Sequence, residues 1–263
     1  MLLLSEKNFL SDLVQSIKVP ADITKAAMEP SAKQIGQGLG DLFYIAFSPV
    51  IKAKYKKEAE IIRFKEEIEK ELSKIPPEQL VEPPLNVVGP ALEASKYYIE
   101  NENLRSMFSK LIASSMNRTT CNKAHTSFVE IIKQLSPLDA HNFTFLVQDS
   151  NSGVARISLQ KKGDSSILDW IRYYFPFPQL SLANEEDYSS SVDNLVRLGL
   201  IDLDFDNSFV NESKYEFILN HQFYQECQDE INNTPNLEEF EIKLSKGICS
   251  ITSFGKKFAH CCL

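Results

Sequence analysis

The stretch IPPEQLVEPPLNVVGPALEAS, residues 75–95, lies between two helical parts of the chain and decides how they are connected. Its two Pro-Pro pairs, at 76–77 and 83–84, cannot continue a helix, because proline lacks an N–H and disfavours helical geometry in the residue before it. We therefore expect an extended, polyproline-like and semi-rigid crossover. Gly89 and Pro90 predict the start of a new helix, with Pro90 in its first turn.

The residues before this crossover have helical spacing. Residues 5–52 predict two or three helices, and Ile61, Phe64, Ile68 and Leu72 then recur at steps of three and four. This spacing predicts an amphipathic helix from about residue 54 to residue 75, with its apolar stripe on the core and its charged faces solvated. A short coiled-coil strip is the alternative use of the same stripe.

The residues after the crossover predict short helices packed as hairpins. NENLRSMFSKLIASSM has one apolar face, and two capping boxes follow it. Ser127 with Glu130, and Ser136 with Asp139, have the spacing at which side-chain oxygens satisfy the first backbone N–H groups of a helix. Pro137 supports the second start, because its missing N–H has no partner to lose in a first turn.

After about residue 150 the pattern changes to mixed helix and strand. Alternating Val154, Ile157 and Leu159 predict a strand, and Asn184 is expected to cap a helix that Gly199 ends. FEIKLSKGICSIT predicts a hairpin that turns at Lys246-Gly247, followed by a closing helix in SFGKKFAHCC. The order helix, strand, strand, helix is typical of winged-helix domains.

The predicted fold class is therefore mainly α with a smaller α+β part. Residues 1–150 are expected to form a helical bundle with its proline-rich crossover at 76–90, and residues 151–263 an α+β domain that resembles a winged helix.

Charge, cysteine content and the N-terminal residues indicate the class of ligand and the cellular compartment to expect. The formal net charge is −8 with an isoelectric point near 5.2, which argues against a surface built throughout for nucleic-acid phosphates. The five cysteines are odd in number and irregularly spaced, so reduced thiols are expected. The N-terminus lacks the basic start of a secretory signal, and we expect a cytoplasmic protein.

Four stretches together resemble one protein family. EPSAKQIGQGLGDLF, IPPEQLVEPPLNVVGPALEA, LRSMFSKLIASSM and AHTSFVEIIKQLSPLDA are similar to the bacterial abortive-infection alpha family, and ITSFGKKFAHCC is similar to its C-terminal phrase. The resemblance implies phage defence in which an infected cell limits the virus at its own expense. It supplies no catalytic residue.

The residues themselves predict no enzyme, no cofactor and no metal. No Walker loop, nucleophile elbow or dinucleotide fingerprint is present, and the histidines form no H-x-x-x-H pattern. His260 with the adjacent cysteines is a candidate ligand group, but adjacent ligands on one helix seldom face the same ion. Asp202, Asp204 and Asp206 alternate, so they are either a cation-binding face or the wet side of a strand.

A second hypothesis assigns the apolar segment 36–51 to a membrane. The segment is too short to span a membrane on its own, but the lysines after it suit anionic lipid. We expect it to be packed away at rest and exposed on triggering. The candidate membrane or partner contacts are Leu42, Phe43, Tyr44, Phe47, Lys52, Lys54, Lys56 and Lys57.

A third hypothesis is a nucleic-acid-binding regulator. It depends on the winged-helix interpretation and on four lysines that would lie on the surface of a wing and of the last helix. Those candidate nucleic-acid or partner contacts are Lys243, Lys246, Lys256 and Lys257. Acidic residues at the start of the preceding helix would repel phosphate, so nucleic acid is not the favoured partner.

The favoured prediction is a phage-defence protein that acts without catalysis. We expect it to contact a phage or host protein as a sensor, inhibitor or effector, with self-association left open. The membrane-perturbing effector is the alternative, with membrane association on activation.

Overall fold

The computed structural model describes residues 17–18, 32–52, 58–149, 151–235 and 237–263. They are mainly helical with one small antiparallel sheet, which confirms the coarse fold class. The described chain forms two compact units. The first contains the described residues up to Pro137 together with Lys257–Leu263, and the second is Leu138–Lys256. The predicted boundary between residues 150 and 151 concerns separately folding domains, and it stays a prediction.

The helices of the first unit follow the apolar periodicity of the sequence. They are α1 (Ala32–Lys52), α2 (Glu58–Leu72), α3 (Leu85–Ser95), α4 (Glu102–Ser115) and α5 (Ser127–Gln134), and α6 (Pro137–Leu146) begins at the end of this unit. The stripe of α2 is buried, with Phe64, Ile68 and Leu72 at 0% exposure, which confirms the predicted amphipathic helix. Residues 53–57, where that helix was predicted to begin, lie outside the described residues.

The proline segment is fixed on the end of α4. Pro76 and Pro84 are extended, with a 3₁₀ turn at Pro77–Gln79 between them. The Val81 N–H donates to the Met116 carbonyl at 2.9 Å, and the Arg118 N–H donates to the Gln79 carbonyl at 2.8 Å. These bonds make the segment a bound strap instead of a free linker.

The prediction that a helix starts at Pro90 is wrong. Helix α3 starts at Leu85, and the N–H groups of Val87 and Val88 donate to the carbonyl of Pro84 at 3.0 and 2.8 Å. Pro90 therefore lies inside the helix, where a proline normally clashes with the preceding turn. Gly89 carries no Cβ, which removes a second clash, between the proline ring and the side chain of the residue before it.

One of the two predicted capping boxes is also wrong. The Ser127 N–H donates to Nδ1 of His125 at 3.1 Å, so a histidine imidazole serves at the start of α5. Glu130 instead accepts from Lys133 Nζ at 2.8 Å. The predicted start of α6 at Pro137 is confirmed.

The second unit is a four-stranded antiparallel sheet with helices. Its elements are β1 (Asn151–Lys161), β2 (Ile167–Tyr174), α7 (Glu185–Arg197), β3 (Ile201–Asp204), a 3₁₀ turn (Glu212–Tyr215), α8 (Phe217–Asn220), α9 (Gln222–Asn233) and β4 (Phe240–Ile251), followed by the start of α10 (Ser253–Cys262). The strand order is β2-β1-β4-β3. Gly199 has a φ of 69° and ends α7, as predicted.

The hairpin predicted at Lys246-Gly247 is wrong, because β4 runs through this point as one strand of 12 residues. A Cβ on Gly247 would lie 2.7 Å from the Asp204 carbonyl oxygen, so glycine marks a close approach of β3 instead of a turn. Between β3 and β4 the chain forms the 3₁₀ turn, α8 and α9. The winged-helix assignment is not confirmed by this arrangement.

The predicted position of the residue before α7 is correct, but the predicted capping hydrogen bond is not formed. Asn184 precedes the helix, but its side chain makes no capping hydrogen bond. Its Oδ1 accepts from the Ser181 N–H at 2.8 Å, and its Nδ2 donates to the Gln179 carbonyl at 2.8 Å. The asparagine therefore orders the turn that leads into the helix.

Candidate functional site

The second unit contains a concave site, here called the aromatic pocket, with a volume of about 270 Å³. Five segments line it: the end of α6, the start of β1, the residues after β2, the 3₁₀ turn and the start of α8. The side chains used below are Phe145, Phe175, Ser213, Lys214 and Phe217. A space of this size suits one large side chain better than a whole drug-sized ligand.

Ring contacts hold the aromatic walls in place. Phe145 meets Phe177 edge-on at 5.4 Å between centroids, and Phe217 meets Tyr174 edge-on at 5.3 Å. Phe175 is fully buried and lies 5.2 Å from Phe177. Such geometries add attraction beyond the area they bury, so the pocket is pre-formed.

The wall made by the 3₁₀ turn depends on Gly153 of β1. A Cβ at this position would lie 2.3 Å from the Lys214 carbonyl oxygen and 3.0 Å from the Tyr215 ring. The Tyr215 hydroxyl donates to the Gly247 carbonyl at 3.0 Å and accepts from the Phe209 N–H at 3.0 Å. The turn is therefore seated directly on β1 and β4.

Polar groups at the rim of the pocket hold the 3₁₀ turn in place. The Lys214 ammonium binds the Asp149 carboxylate and donates to the Asn151 carbonyl at 3.1 Å. Beyond the rim, the segment that carries the 3₁₀ turn and α8 exposes Val210 at 99% and Leu219 at 59%. Along the chain, Val210 lies three residues before Ser213 and Leu219 lies two residues after Phe217.

The first unit contains a polar cleft of about 370 Å³. Lys110 donates to the main-chain oxygen of Leu263, and the Ser114 hydroxyl donates to the Cys261 carbonyl at 3.1 Å. Cations and hydroxyls at a helix C-terminus satisfy its last carbonyl groups. Lys110 and Ser114 therefore hold the last turn of α10. Because these groups are already engaged, the cleft is a weaker candidate for a binding site than the aromatic pocket.

The predicted membrane residues of α1 divide between core and surface. Phe43 and Phe47 are fully buried, stacked at 4.6 Å, and each lies about 6 Å from Phe64 of α2 (6.1 and 6.0 Å). Leu42 and Tyr44 are half-buried. This burial agrees with the packed resting state that we expected, and release of the segment stays a prediction.

The lysines predicted to follow this segment fall at or beyond the end of α1. Lys52 ends α1, but its side chain is not among the described ones, and Lys54, Lys56 and Lys57 lie outside the described residues. In the part of the chain that the structure describes, no helix is both long and apolar enough to cross a bilayer.

The predicted nucleic-acid or partner contacts are surface residues. Lys243 is exposed on β4, and Lys246 is half-buried, bound to the Glu212 carboxylate and 5.1 Å from the Tyr215 ring centroid. Lys256 and Lys257 are exposed on α10. Lys246 thus supports the 3₁₀ turn of the aromatic pocket, a role that sequence reasoning missed.

The candidate metal ligands have other roles. Hydrogen bonds from the Asn207 side chain and from the Asp206 N–H lower the pKa of Asp204, whose carboxylate closes a turn. Burial raises the pKa of Cys261 to about 11. Among the residues with described placement, no three His, Cys, Asp or Glu side chains gather as a metal site.

Local sequence is only weakly informative about the aromatic pocket. The stretch IRYYFPFPQL, residues 171–180, is aromatic and broken by proline, but its partners come from residues more than 25 positions away in either direction, around Phe145 and Phe217. Sequence periodicity describes one element at a time, so it cannot predict a site shared by five.

The sequence model of the family described as abortive infection alpha matches residues 56–262 of the chain. This range contains the aromatic pocket and excludes all of α1. No curated protein and no solved structure matches the chain.

Proposed function

This chain belongs to the abortive infection alpha family, and on that premise we propose that it defends a bacterial cell against phage by contacting another protein at the aromatic pocket. The family suggests the abortive-infection role. The proposed action is non-enzymatic and cytoplasmic, and the partner is a phage or host protein.

The observation that carries the proposal is the pre-formed aromatic pocket, whose walls are held by ring contacts. Protein interfaces obtain most of their affinity from a few side chains that fill such pockets at the centre of a contact. The walls are already fixed by ring contacts, so binding requires little ordering of the protein. Lys214 and Asp149 are paired with each other, which suits a structural role better than a chemical one.

A pocket-filling variant tests the proposal. Ser213 is exposed and lines the pocket, so Ser213→Trp is expected to obstruct it without disturbing the core. Ser245→Trp, at an exposed serine on β4 that does not line the pocket, is the matched control. We expect cells with the wild-type chain or the control to resist a phage that the wild type blocks, and cells with Ser213→Trp to lose that resistance.

The measurement is plaque formation, with circular dichroism of each purified variant to establish that it is folded. Photo-crosslinking from a probe at position 213 during infection should capture a protein that the control position does not. Full resistance from a folded Ser213→Trp variant would show that the pocket is not the contact.

A second candidate function, membrane perturbation by α1, is favoured by a specific observation. The helix contains Gly36, Gly38 and Gly40 as well as Pro49, so its intrinsic helix propensity is poor. It is held instead by burial of Phe43 and its neighbours, so loss of that packing would free an apolar segment. Ile45, at 67% exposure, is available for lipid contact before any such release.

Dye leakage from anionic vesicles tests this second function. If α1 inserts, Ile45→Lys should reduce leakage, whereas Ile62→Lys on α2, where the side chain is 42% exposed, should not. Leakage that is absent with the wild-type chain, or equal for both variants, would argue against insertion of α1.

A further inference from the structure

The two units differ sharply in formal charge. Residues 138–256 contain nine Lys and Arg against 19 Asp and Glu, which gives −10. The whole chain is −8, so the remaining residues sum to +2. The negative charge of the protein is therefore concentrated on the unit that carries the aromatic pocket.

The side chains at the pocket add one net negative charge to that of the unit. Asp149 lines the pocket, and Glu212 and Glu216 are exposed within or next to the 3₁₀ turn that forms one wall. Lys214 is paired with Asp149, and Lys246 is paired with Glu212, so these pairs balance and Glu216 remains. A partner approaching the apolar opening would therefore meet the negative potential of the unit as a whole, with no local positive excess to oppose it.

We propose that the aromatic pocket binds one apolar side chain from a basic segment of a partner protein, with Lys or Arg on either side of that anchor. The inference rests on the proposed function in one respect, namely that the partner is a protein. Apolar burial in the pocket would supply the affinity, and the charges would select the partner and speed its approach.

The same charge distribution disfavours a nucleic-acid ligand for this unit. Phosphates bind where Lys and Arg are concentrated, and here acidic side chains outnumber basic ones by about two to one (19 against nine). Arg156, the basic residue at the centre of β1, stacks on the Phe205 ring at 3.7 Å. That contact holds the residues after β3 and covers one face of the guanidinium of this exposed arginine.

Peptide binding to the full-length protein tests the inference. The probes are acetyl-KKFKK-amide, acetyl-EEFEE-amide and acetyl-KKGKK-amide, titrated into isotope-labelled protein and followed by amide NMR shifts. We expect the first peptide to shift the amides of Gly153, Lys214 and Phe217. It should bind at least about tenfold more tightly than the acidic peptide at low salt, and the glycine peptide should leave these amides unmoved.

Two variants test the contribution of the pocket, and a salt titration tests the contribution of charge. Ser213→Trp should abolish the shifts at the pocket, while Ser245→Trp should keep them. Raising NaCl from about 50 mM to about 500 mM should reduce the preference for the basic peptide, because surface charges are screened. Equal binding of the acidic and basic peptides, or shifts that avoid the pocket, would overturn the inference.

These outcomes are distinguishable from failure of the proposed function. If the basic peptide binds selectively but Ser213→Trp still protects cells, the inference stands and the defence role of the pocket falls. If Ser213→Trp abolishes protection but the peptides bind without charge preference, the defence role stands and the inference falls.

Discussion

The close contact of Gly153 with the 3₁₀ turn leads to a prediction that links the fold to the proposed site. In Gly153→Ala the new Cβ would lie 2.3 Å from the Lys214 carbonyl oxygen, where ordinary contacts are longer by about 1 Å. The obstruction is backbone and not a flexible side chain. The turn must therefore move away from β1.

The expected cost has two parts. Overpacking of a well-packed site costs about 1–3 kcal/mol. Displacing the turn also strains the hydrogen bond from the Tyr215 hydroxyl to the Gly247 carbonyl, now 3.0 Å, and a typical bond contributes about 1 kcal/mol. We therefore expect the free energy of unfolding of the second unit to fall by about 2–4 kcal/mol.

Urea unfolding followed by tryptophan fluorescence measures this loss. Trp170 is the single tryptophan of the chain and belongs to β2, so its signal reports the second unit. Ser245→Ala, at an exposed position of β4, is the control and should change the free energy by less than about 0.5 kcal/mol. The comparison needs similar m-values for both proteins.

A Gly153→Ala protein with the urea midpoint of the control would refute this reasoning. It would mean that the 3₁₀ turn yields without cost and is not seated on the sheet. The pocket would then not be pre-formed, and the proposed contact would lose its structural basis.

Three further predictions concern the rest of the molecule. Phe64→Ala should lower the free energy of unfolding of the first unit by about 3–5 kcal/mol, because it leaves a cavity against the stacked Phe43 and Phe47 rings, whereas Ile62→Ala should cost less than about 1 kcal/mol by far-UV circular dichroism. Gly199→Ala should cost about 1–2 kcal/mol by Trp170 fluorescence, because its φ of 69° is unfavourable for alanine; an unchanged midpoint would contradict this. Burial raises the pKa of Cys249 to about 12 from 9.0, so the folded thiol stays neutral while the unfolded thiol ionises. The free energy of unfolding should therefore fall as pH rises from about 9 to 12, by up to about 1.4 kcal/mol per pH unit for this thiol. Cys249→Ala should make that decline shallower between about pH 8 and pH 10 in urea, and an identical slope would show that Cys249 is not responsible.

Features that depend on a single element can be predicted from the sequence. The apolar stripe of α2 follows from its spacing at steps of three and four, the start of α6 follows from Pro137, and the end of α7 follows from Gly199. In each case the physical cause lies within one or two helical turns, so neighbouring residues contain all the information.

Features that need distant partners depend on how the whole chain packs. Glycine at 247 indicates a turn when read locally, but it is required because the Asp204 carbonyl approaches β4. The strap is fixed by hydrogen bonds to residues after α4, and α3 therefore begins at Leu85 and not at Pro90. A local pattern cannot distinguish a glycine that makes a turn from one that permits a close backbone approach. Likewise, it cannot distinguish a proline that starts a helix from one inside it.

The candidate site shows the same division. The acidic excess of residues 138–256 can be counted from the sequence, but the limits of that unit are known only from its packing. The aromatic pocket forms because Phe145, Phe175 and Phe217 meet across five segments, and Gly153 lets the 3₁₀ turn come close enough to close one wall. Burial of apolar surface brings these segments together, and burial depends on the whole unit rather than on any one stretch of it.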